Sequence, residues 1–344
     1  MAEIIDIEPF LAADLEGRSE ALPDAAVSVA RHWRRAFGAV GFAQVLGHGV
    51  PDDVINNAYS TARRFFDLPD DVKQRYDLGK GYGAGGYIRQ GGERVSATAS
   101  KPDGSDLLGA EKARPPDRVE SMIVHRAEHD PIPVEVEDYQ KNLYLYFDEM
   151  LRLLRALMRL TACSLDLPLD IFEAHYFGDS KAENTLRMAY YPARRDGDQK
   201  LPEGQLRYGE HTDYTGFTIL WQDHNSRGPQ TDRHGATPPQ GGLQVRMPDG
   251  SWADVPPVAG AFTINAGDLI QVWTNDIFLS NLHRVVNPPE EDRDSRLSLV
   301  FFTGPSPETV VECLPTCLGP ERPARYMPIT AGQHLQRKLQ VSNK

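Results

Sequence analysis

Tyr208-Gly-Glu-His211-Thr-Asp213-Tyr-Thr-Gly-Phe-Thr-Ile-Leu220 sets a His and an Asp two residues apart, just ahead of an apolar, β-branched run. Strand residues two apart project from the same face, so His211 and Asp213 are expected side by side at a strand start. A His and an Asp at this spacing are common in many chains, and the ordinary reading is a hydrogen-bonded pair. The surrounding sequence decides between the readings.

On either side the pattern reads as strands broken by Gly, Pro and Asp turns: Leu186 to Tyr191, Phe217 to Gln222, Gly242 to Arg246, Ala261 to Asn265, Leu269 to Thr274 and Ser295 to Phe302. Many short strands with turn signals predict a barrel or a two-sheet jelly roll. The preceding half is helical over Ala25 to Phe37, Val54 to Phe66 and Val134 to Leu165, the last carrying Leu143, Phe147, Leu151, Leu154 and Leu157 at helical spacing. Gly41 to Leu46 reads as a short strand between helices. Gly81 to Pro116 and His224 to Gly241 read as loops, and Gly332 to Val341 as a weakly amphipathic helix that frays or caps the barrel. The fold class is therefore mainly β with flanking helices: a double-stranded β-helix (jelly-roll) core behind a helical N-terminal region. The expected partition is 1–125 for the N-terminal region with its lid loop, 126–185 for a long supporting helix, 186–310 for the catalytic core and 311–344 for a C-terminal extension.

Composition narrows the partners. A hydrophobic share of 40% and a charged share of 25% are those of an ordinary globular chain, so function must come from local features. With 49 acidic against 37 basic side chains the net charge is -12, which repels phosphate backbones and anionic lipid. Apolar stretches such as Leu297 to Phe302 are far shorter than the roughly 20 residues that span a bilayer. The opening Met1-Ala-Glu-Ile-Ile-Asp carries acids where a signal peptide carries bases. The expectation is a cytoplasmic monomer or homodimer acting on a small molecule, without nucleic acid or membrane. Cys163, Cys313 and Cys317 form no C-x-x-C pair and read as reduced thiols.

A third donor, His283, stands in Asn281-Leu-His283-Arg-Val-Val-Asn-Pro-Pro. Two imidazoles and one carboxylate can occupy one face of an octahedral iron and leave three positions open for oxygen chemistry. Downstream, Arg296 and Ser298 sit two apart in Arg296-Leu-Ser298-Leu-Val-Phe-Phe302, both expected to face the barrel interior. An Arg in an apolar barrel needs an anion, and its fork matches a carboxylate in bidentate fashion. The distal carboxylate of 2-oxoglutarate would supply it; an internal Asp or Glu is the ordinary alternative. Tyr190-Tyr191-Pro192 lies upstream on the first expected core strand.

With these residues in this order, the chain resembles the isopenicillin N synthase-like branch of the Fe(II)/2-oxoglutarate dioxygenases over almost its whole length. The likeness runs through Ile5-Asp-Ile, Gly41 to Val50 with His48, Phe65-Phe-Asp-Leu-Pro69 and Lys73, then Tyr190-Tyr-Pro, His211-Thr-Asp213, Gly241-Gly-Leu-Gln-Val, Asn265-Ala-Gly-Asp268, His283-Arg-Val and Arg296-Leu-Ser298. The resemblance implies that His211, Asp213 and His283 bind Fe(II), and that Arg296, Ser298 and Tyr191 hold 2-oxoglutarate. It gives His48 a structural role. It further implies consumption of O2, release of succinate and CO2, hydroxylation as the default outcome with desaturation or cyclisation as variants, and ascorbate as a candidate reductant. The chain departs from the family at Ala189, where many relatives carry Asn, and in insertions around Gly228 to Gln240 and Glu290 to Asp294. Retention of Asp213 argues against halogenation. The substrate pocket is expected to include Tyr87 and Arg89 from the Gly81 to Pro116 loop, with Tyr214 and Phe302 near the metal. Left open are a same-fold oxidase that does not consume 2-oxoglutarate, a zinc-dependent hydrolase, and a metal-binding barrel without turnover.

Overall fold

The structure is a computed structural model that describes residues 2–13, 22–79, 85–100, 102, 105, 107, 114–128, 130–178, 182–193, 201–222, 242–287 and 295–342. The expected loop His224 to Gly241 and the insertions at Gly228 to Gln240 and Glu290 to Asp294 lie outside the described residues. In chain order the elements are β1 (Glu3–Asp6), α1 (Glu8–Leu11), α2 (Asp24–Ala39), β2 (Phe42–Leu46), α3 (Asp52–Phe66), α4 (Asp70–Lys73), β3 (Gly86–Ile88), β4 (Glu120–Val124), α5 (Tyr139–Ser164), α6 (Glu173–Phe177), β5 (Thr185–Tyr191), β6 (Tyr208–His211) and β7 (Phe217–Gln222). They continue with β8 (Leu243–Arg246), β9 (Trp252–Asp254), β10 (Phe262–Ala266), α7 (Asp268–Trp273), β11 (His283–Val285), β12 (Arg296–Phe302), β13 (Val310–Val311), β14 (Ile329–Thr330) and α8 (Ala331–Ser342).

Two sheets form the core: an eight-stranded one in the order β1-β2-β10-β7-β12-β5-β4-β3 and a four-stranded one in the order β6-β11-β8-β9. β12 shows why the sequence folds this way. Leu297, Leu299 and Phe301 point into the helix-packed core, where the Phe301 ring lies 4.8 Å from that of Phe147 on α5. The alternate residues Arg296, Ser298, Val300 and Phe302 line the space between the sheets. The neighbouring β5 repeats the division, with Leu186 and Met188 in the core and Arg187, Ala189 and Tyr191 facing the cavity. Its pairing with β12 sets Arg296 opposite Tyr191, Ser298 opposite Ala189 and Val300 opposite Arg187. Slipping β12 by one residue would turn three large apolar side chains out of the core and bring Arg296 into it, so burial fixes the register.

Helices α2, α3 and α5 cover the outer face of this sheet, and the Trp33 indole N–H donates to Thr161 Oγ1 across the α2–α5 contact at 3.0 Å. Each of α2 and α3 follows a proline and carries aspartate in its first turn, which suits the helix dipole.

One expected strand is a helix. The sequence pattern predicts an extended Leu269 to Thr274, but Asp268–Trp273 is α7, with Leu269, Ile270, Val272 and Trp273 all buried. A short, wholly buried apolar run has no free face to reveal its period; the legible signal is Gly267-Asp268 at its start. A Cβ on Gly267 would come within 2.6 Å of the Gly216 carbonyl, so this glycine lets α7 sit directly on the segment after Asp213. The Gly81 to Pro116 stretch also holds more than loop: β3 pairs with β4, and Val95–Thr98 makes a 3-10 turn. Among the described residues no helix is long and apolar enough to cross a membrane.

Candidate active site

Between the two sheets lies a cavity of about 540 Å³, counted with the solvent at its mouth. Its walls come from β5, β7, β10 and β12 on one side and β6, β8 and β11 on the other.

His211 closes β6 and His283 opens β11, and the two residues stand opposite each other in the antiparallel pair. Each ring lies within hydrogen-bonding distance of a carbonyl through Nδ1, His211 to Gly209 O at 2.8 Å and His283 to Asn281 O at 3.1 Å. A carbonyl only accepts, so the Nδ1 atoms carry the protons and the Nε2 lone pairs are left for a metal. Those Nε2 atoms lie 3.6 and 3.8 Å from Asp213 Oδ1. Asp213 does not reach this place by alternation along a strand, as expected, because β6 ends at His211 and Asp213 enters from the following turn. Thr218 Oγ1 and Asn265 Nδ2 both donate to Asp213 Oδ2 at 2.5 Å, which holds the carboxylate and leaves Oδ1 towards the imidazoles.

Burial, with help from the adjacent His283, pushes the His211 pKa down to about 3, so its imidazole is neutral at ordinary pH. Burial also works to raise the Asp213 pKa, but His283, His211 and the Thr218 and Asn265 donors outweigh it and hold the carboxyl below its usual range. Two imidazole nitrogens and one carboxylate oxygen, with ligand atoms all within 4.8 Å of one another, fit a single divalent ion.

The other end of the cavity carries the opposite charge. Arg296 Nη2 donates to Gln222 Oε1 at 2.6 Å, and the guanidinium lies 5.5 Å from the centre of the Tyr191 ring. Ser298 Oγ is buried and makes no hydrogen bond among the described residues. An orphaned hydroxyl of this kind costs stability unless a ligand satisfies it, and a carboxylate beside Arg296 fits. From Ser298 to Phe302, the inward residue paired with Thr218, β12 runs roughly 13 Å.

Phe302 lines the cavity as expected. The other three expected substrate residues are not among its lining. Tyr87 is buried on the far side of β4, its hydroxyl donating to Glu120 beside Lys73, because β3 pairs there and turns the ring into the helical core. Arg89 is exposed in the turn after β3. Tyr214 packs under the Lys338 ammonium from α8, 5.8 Å from its ring centre.

In their place stand residues that the sequence reading did not select. Arg187, 2% exposed, donates through Nε to Ser121, through Nη1 to the Tyr208 hydroxyl at 2.6 Å and through Nη2 to Glu93 at 2.5 Å. The signal for it is present in the sequence, since Arg187, Ala189 and Tyr191 share one face by period two. Asp117 accepts the backbone N–H groups of Val95 and Gly209 and so steadies the strand that ends at His211; burial pushes its carboxyl up to about 7. On the outer face of β6 and β11, Arg284 donates to Glu210 at 3.1 Å and ties together the strands bearing the two histidines.

A jelly-roll cavity with a histidine–aspartate–histidine face at one end and a buried arginine at the other defines the non-haem oxygenase class. Comparison with known proteins makes it specific. Residues 182–305 match the 2OG-Fe(II) oxygenase superfamily, and residues 3–131 match the family described as non-haem dioxygenase in morphine synthesis N-terminal. The chain is 30% identical to the 2-oxoglutarate-Fe(II) type oxidoreductase ppzC of Metarhizium majus, covering 98% of this chain and 86% of that one. It is 28% identical to homoarginine-6-hydroxylase 2-ODD-233 of Oryza sativa, over 98% and 95% of the two chains. The crystal structure of a full-length Neurospora crassa protein in complex with alpha-KG and thymine superposes with a TM-score of 0.77 at 28% identity, covering 98% and 96%. The chain belongs to the 2OG-Fe(II) oxygenase superfamily and is a 2-oxoglutarate- and Fe(II)-dependent oxidoreductase that uses O2.

Proposed function

We propose that His211, Asp213 and His283 hold the Fe(II), that Arg296, Ser298 and Tyr191 receive the far carboxylate of 2-oxoglutarate, and that the enzyme hydroxylates a small molecule bound against Phe302, Tyr208 and Arg187. The observation that carries this is the pair of imidazoles locked by backbone carbonyls with Nε2 facing Asp213 Oδ1, in the same cavity as Arg296 and Ser298. When bound, Fe(II) with 2-oxoglutarate supplies the oxidising chemistry and releases succinate and CO2. The chain's own residues do the rest. Carbonyls of Gly209 and Asn281 keep the ring protons on Nδ1, Thr218 and Asn265 keep Asp213 ionised and aimed, and the apolar walls exclude bulk water.

Arg187 is charge-balanced within the wall by Glu93. That balance supports a polar substrate other than a simple anion: thymine, named with one relative, is neutral, and homoarginine, named with another, is a zwitterion with one further positive charge. Placement in the isopenicillin N synthase-like branch, and a cytoplasmic working site without nucleic acid or membrane as monomer or homodimer, belong to the same reading; the net charge of -12 supports it.

The test is anaerobic addition of Fe(II) and 2-oxoglutarate to metal-free protein. A weak visible charge-transfer band is expected, absent in His211→Ala, followed in air by succinate release that neutral and zwitterionic metabolites stimulate. No band and no succinate would sink the assignment; substrate oxidation without succinate would point to an oxidase that spares 2-oxoglutarate.

A further inference from the structure

Asp268, fully enclosed at the start of α7, touches both segments that carry the candidate ligands. Its backbone N–H donates to the Asp213 carbonyl at 2.9 Å. Its Oδ1 accepts from Ser280 Oγ, three residues before His283, at 2.7 Å. Its Oδ2 takes a 2.8 Å ion pair from Lys338 and lies 3.3 Å from His334 Nε2, both on α8. Lys338 then reaches further. Its ammonium donates to the Ser100 carbonyl at 2.7 Å and to Thr212 Oγ1, between His211 and Asp213, at 3.2 Å. One buried cation from the last helix thus contacts the ligand segment, the stretch after the Val95–Thr98 turn, and the aspartate that braces the approach to His283.

We infer that Lys338 is a positioning residue for the metal centre: the C-terminal helix inserts it as a strut that sets the spacing of the 211–213 segment from Asp268, and so from His283. The inference rests on the iron reading above. Packing alone does not call for an ammonium here, since Lys338 is 5% exposed and an apolar side chain of similar length would fill the volume; the ammonium is also the counter-charge of Asp268, so Lys338→Met leaves that carboxylate buried with His334 beside it and costs stability as well. What only the ammonium provides is a simultaneous bond to Asp268, Thr212 and Ser100. Groups that orient metal ligands in this way typically change metal affinity about 10- to 100-fold when removed.

The experiment titrates Fe(II) anaerobically into full-length protein with saturating 2-oxoglutarate, reading the charge-transfer band, for wild type, Lys338→Met, Thr212→Val and the exposed same-helix control Arg337→Ala. Circular dichroism of each metal-free protein at the assay temperature reports folding. Lys338→Met is expected to bind Fe(II) at least about 10-fold more weakly with a shifted or weakened band. Thr212→Val, which removes only the hydroxyl, should lose affinity several-fold, and Arg337→Ala should match wild type. If Lys338→Met fails to fold, Thr212→Val decides alone. Affinity and band position within twofold of wild type in the folded variants would overturn the inference while leaving the iron site standing. A wild type that gives no band would overturn the iron site and this inference together.

Discussion

Asp213 and Asp268 are joined by one backbone hydrogen bond and are both shut away from solvent, yet the chain treats their charges in opposite ways. Asp268 meets a lysine ammonium inside the protein. Asp213 meets two imidazoles, and His211 is kept neutral by burial. The first aspartate is neutralised by the fold and builds structure; the second keeps its charge for a cation from outside. Among the described residues Asp213 has no Lys or Arg partner, as the proposed ligand role requires, whereas Asp268 has its lysine, as the proposed brace requires.

The sharpest way to break this contrast is to neutralise each aspartate in turn. Asp213→Asn should abolish the Fe(II)·2-oxoglutarate band and cut turnover more than about 1,000-fold, a loss above roughly 4 kcal/mol of transition-state stabilisation, while the metal-free melting temperature holds or rises. Asp268→Asn should instead leave Lys338 buried without its counter-charge and destabilise the metal-free fold by about 3–5 kcal/mol, read by urea denaturation. Equal stability changes in the two variants would end the distinction.

At the far end of the cavity, Arg296→Lys keeps the charge but loses the planar fork. We expect the KM for 2-oxoglutarate to rise about 10- to 100-fold, a cost of roughly 1.4–2.8 kcal/mol, with Fe(II) affinity unchanged. A lower Fe(II) affinity would mean that the two ends are not separable.

Glu93→Gln removes the balance on Arg187 without shortening the side chain. Turnover of carboxylate-bearing candidates is expected to gain about 10-fold relative to neutral ones, roughly 1.4 kcal/mol, with the KM for 2-oxoglutarate constant. Unchanged selectivity would remove the pair from substrate recognition.

A further test is in pH. The folded pKa of His211, about 3, lies below the unfolded value near 6.5. Between those values the unfolded chain binds the extra proton, so this group's contribution makes metal-free stability rise with pH from about 3 to 6.5 and level off above. The urea midpoint should follow that slope in wild type and flatten in His211→Gln. An equally steep slope in the variant would assign the dependence to other groups.

Much of this is legible without any coordinates. The sequence pattern bounds Phe217 to Gln222 as it stands and comes within a residue of β5 and β12 with Leu186 to Tyr191 and Ser295 to Phe302, because alternation between a packed core and a cavity writes a period of two into the residue types. It misreads Leu269 to Thr274 because burial on every side erases that period. It misplaces Tyr87 because pairing of Tyr87 with Met122 on β4 decides which way β3 faces and brings the hydroxyl to Glu120, 33 residues away.

For the site, the donor types and the two-apart spacing of Arg296 and Ser298 can be read from residue order alone. They can because metal preference and strand parity are properties of residue type and spacing. Folding in three dimensions is needed to see that Asp213 comes from a turn, that Glu93 balances Arg187, and that Lys338 reaches back 126 residues to Thr212. Those relations depend on which buried charge finds which partner. Desolvation enforces that choice through space, and the linear order of residues carries no record of it.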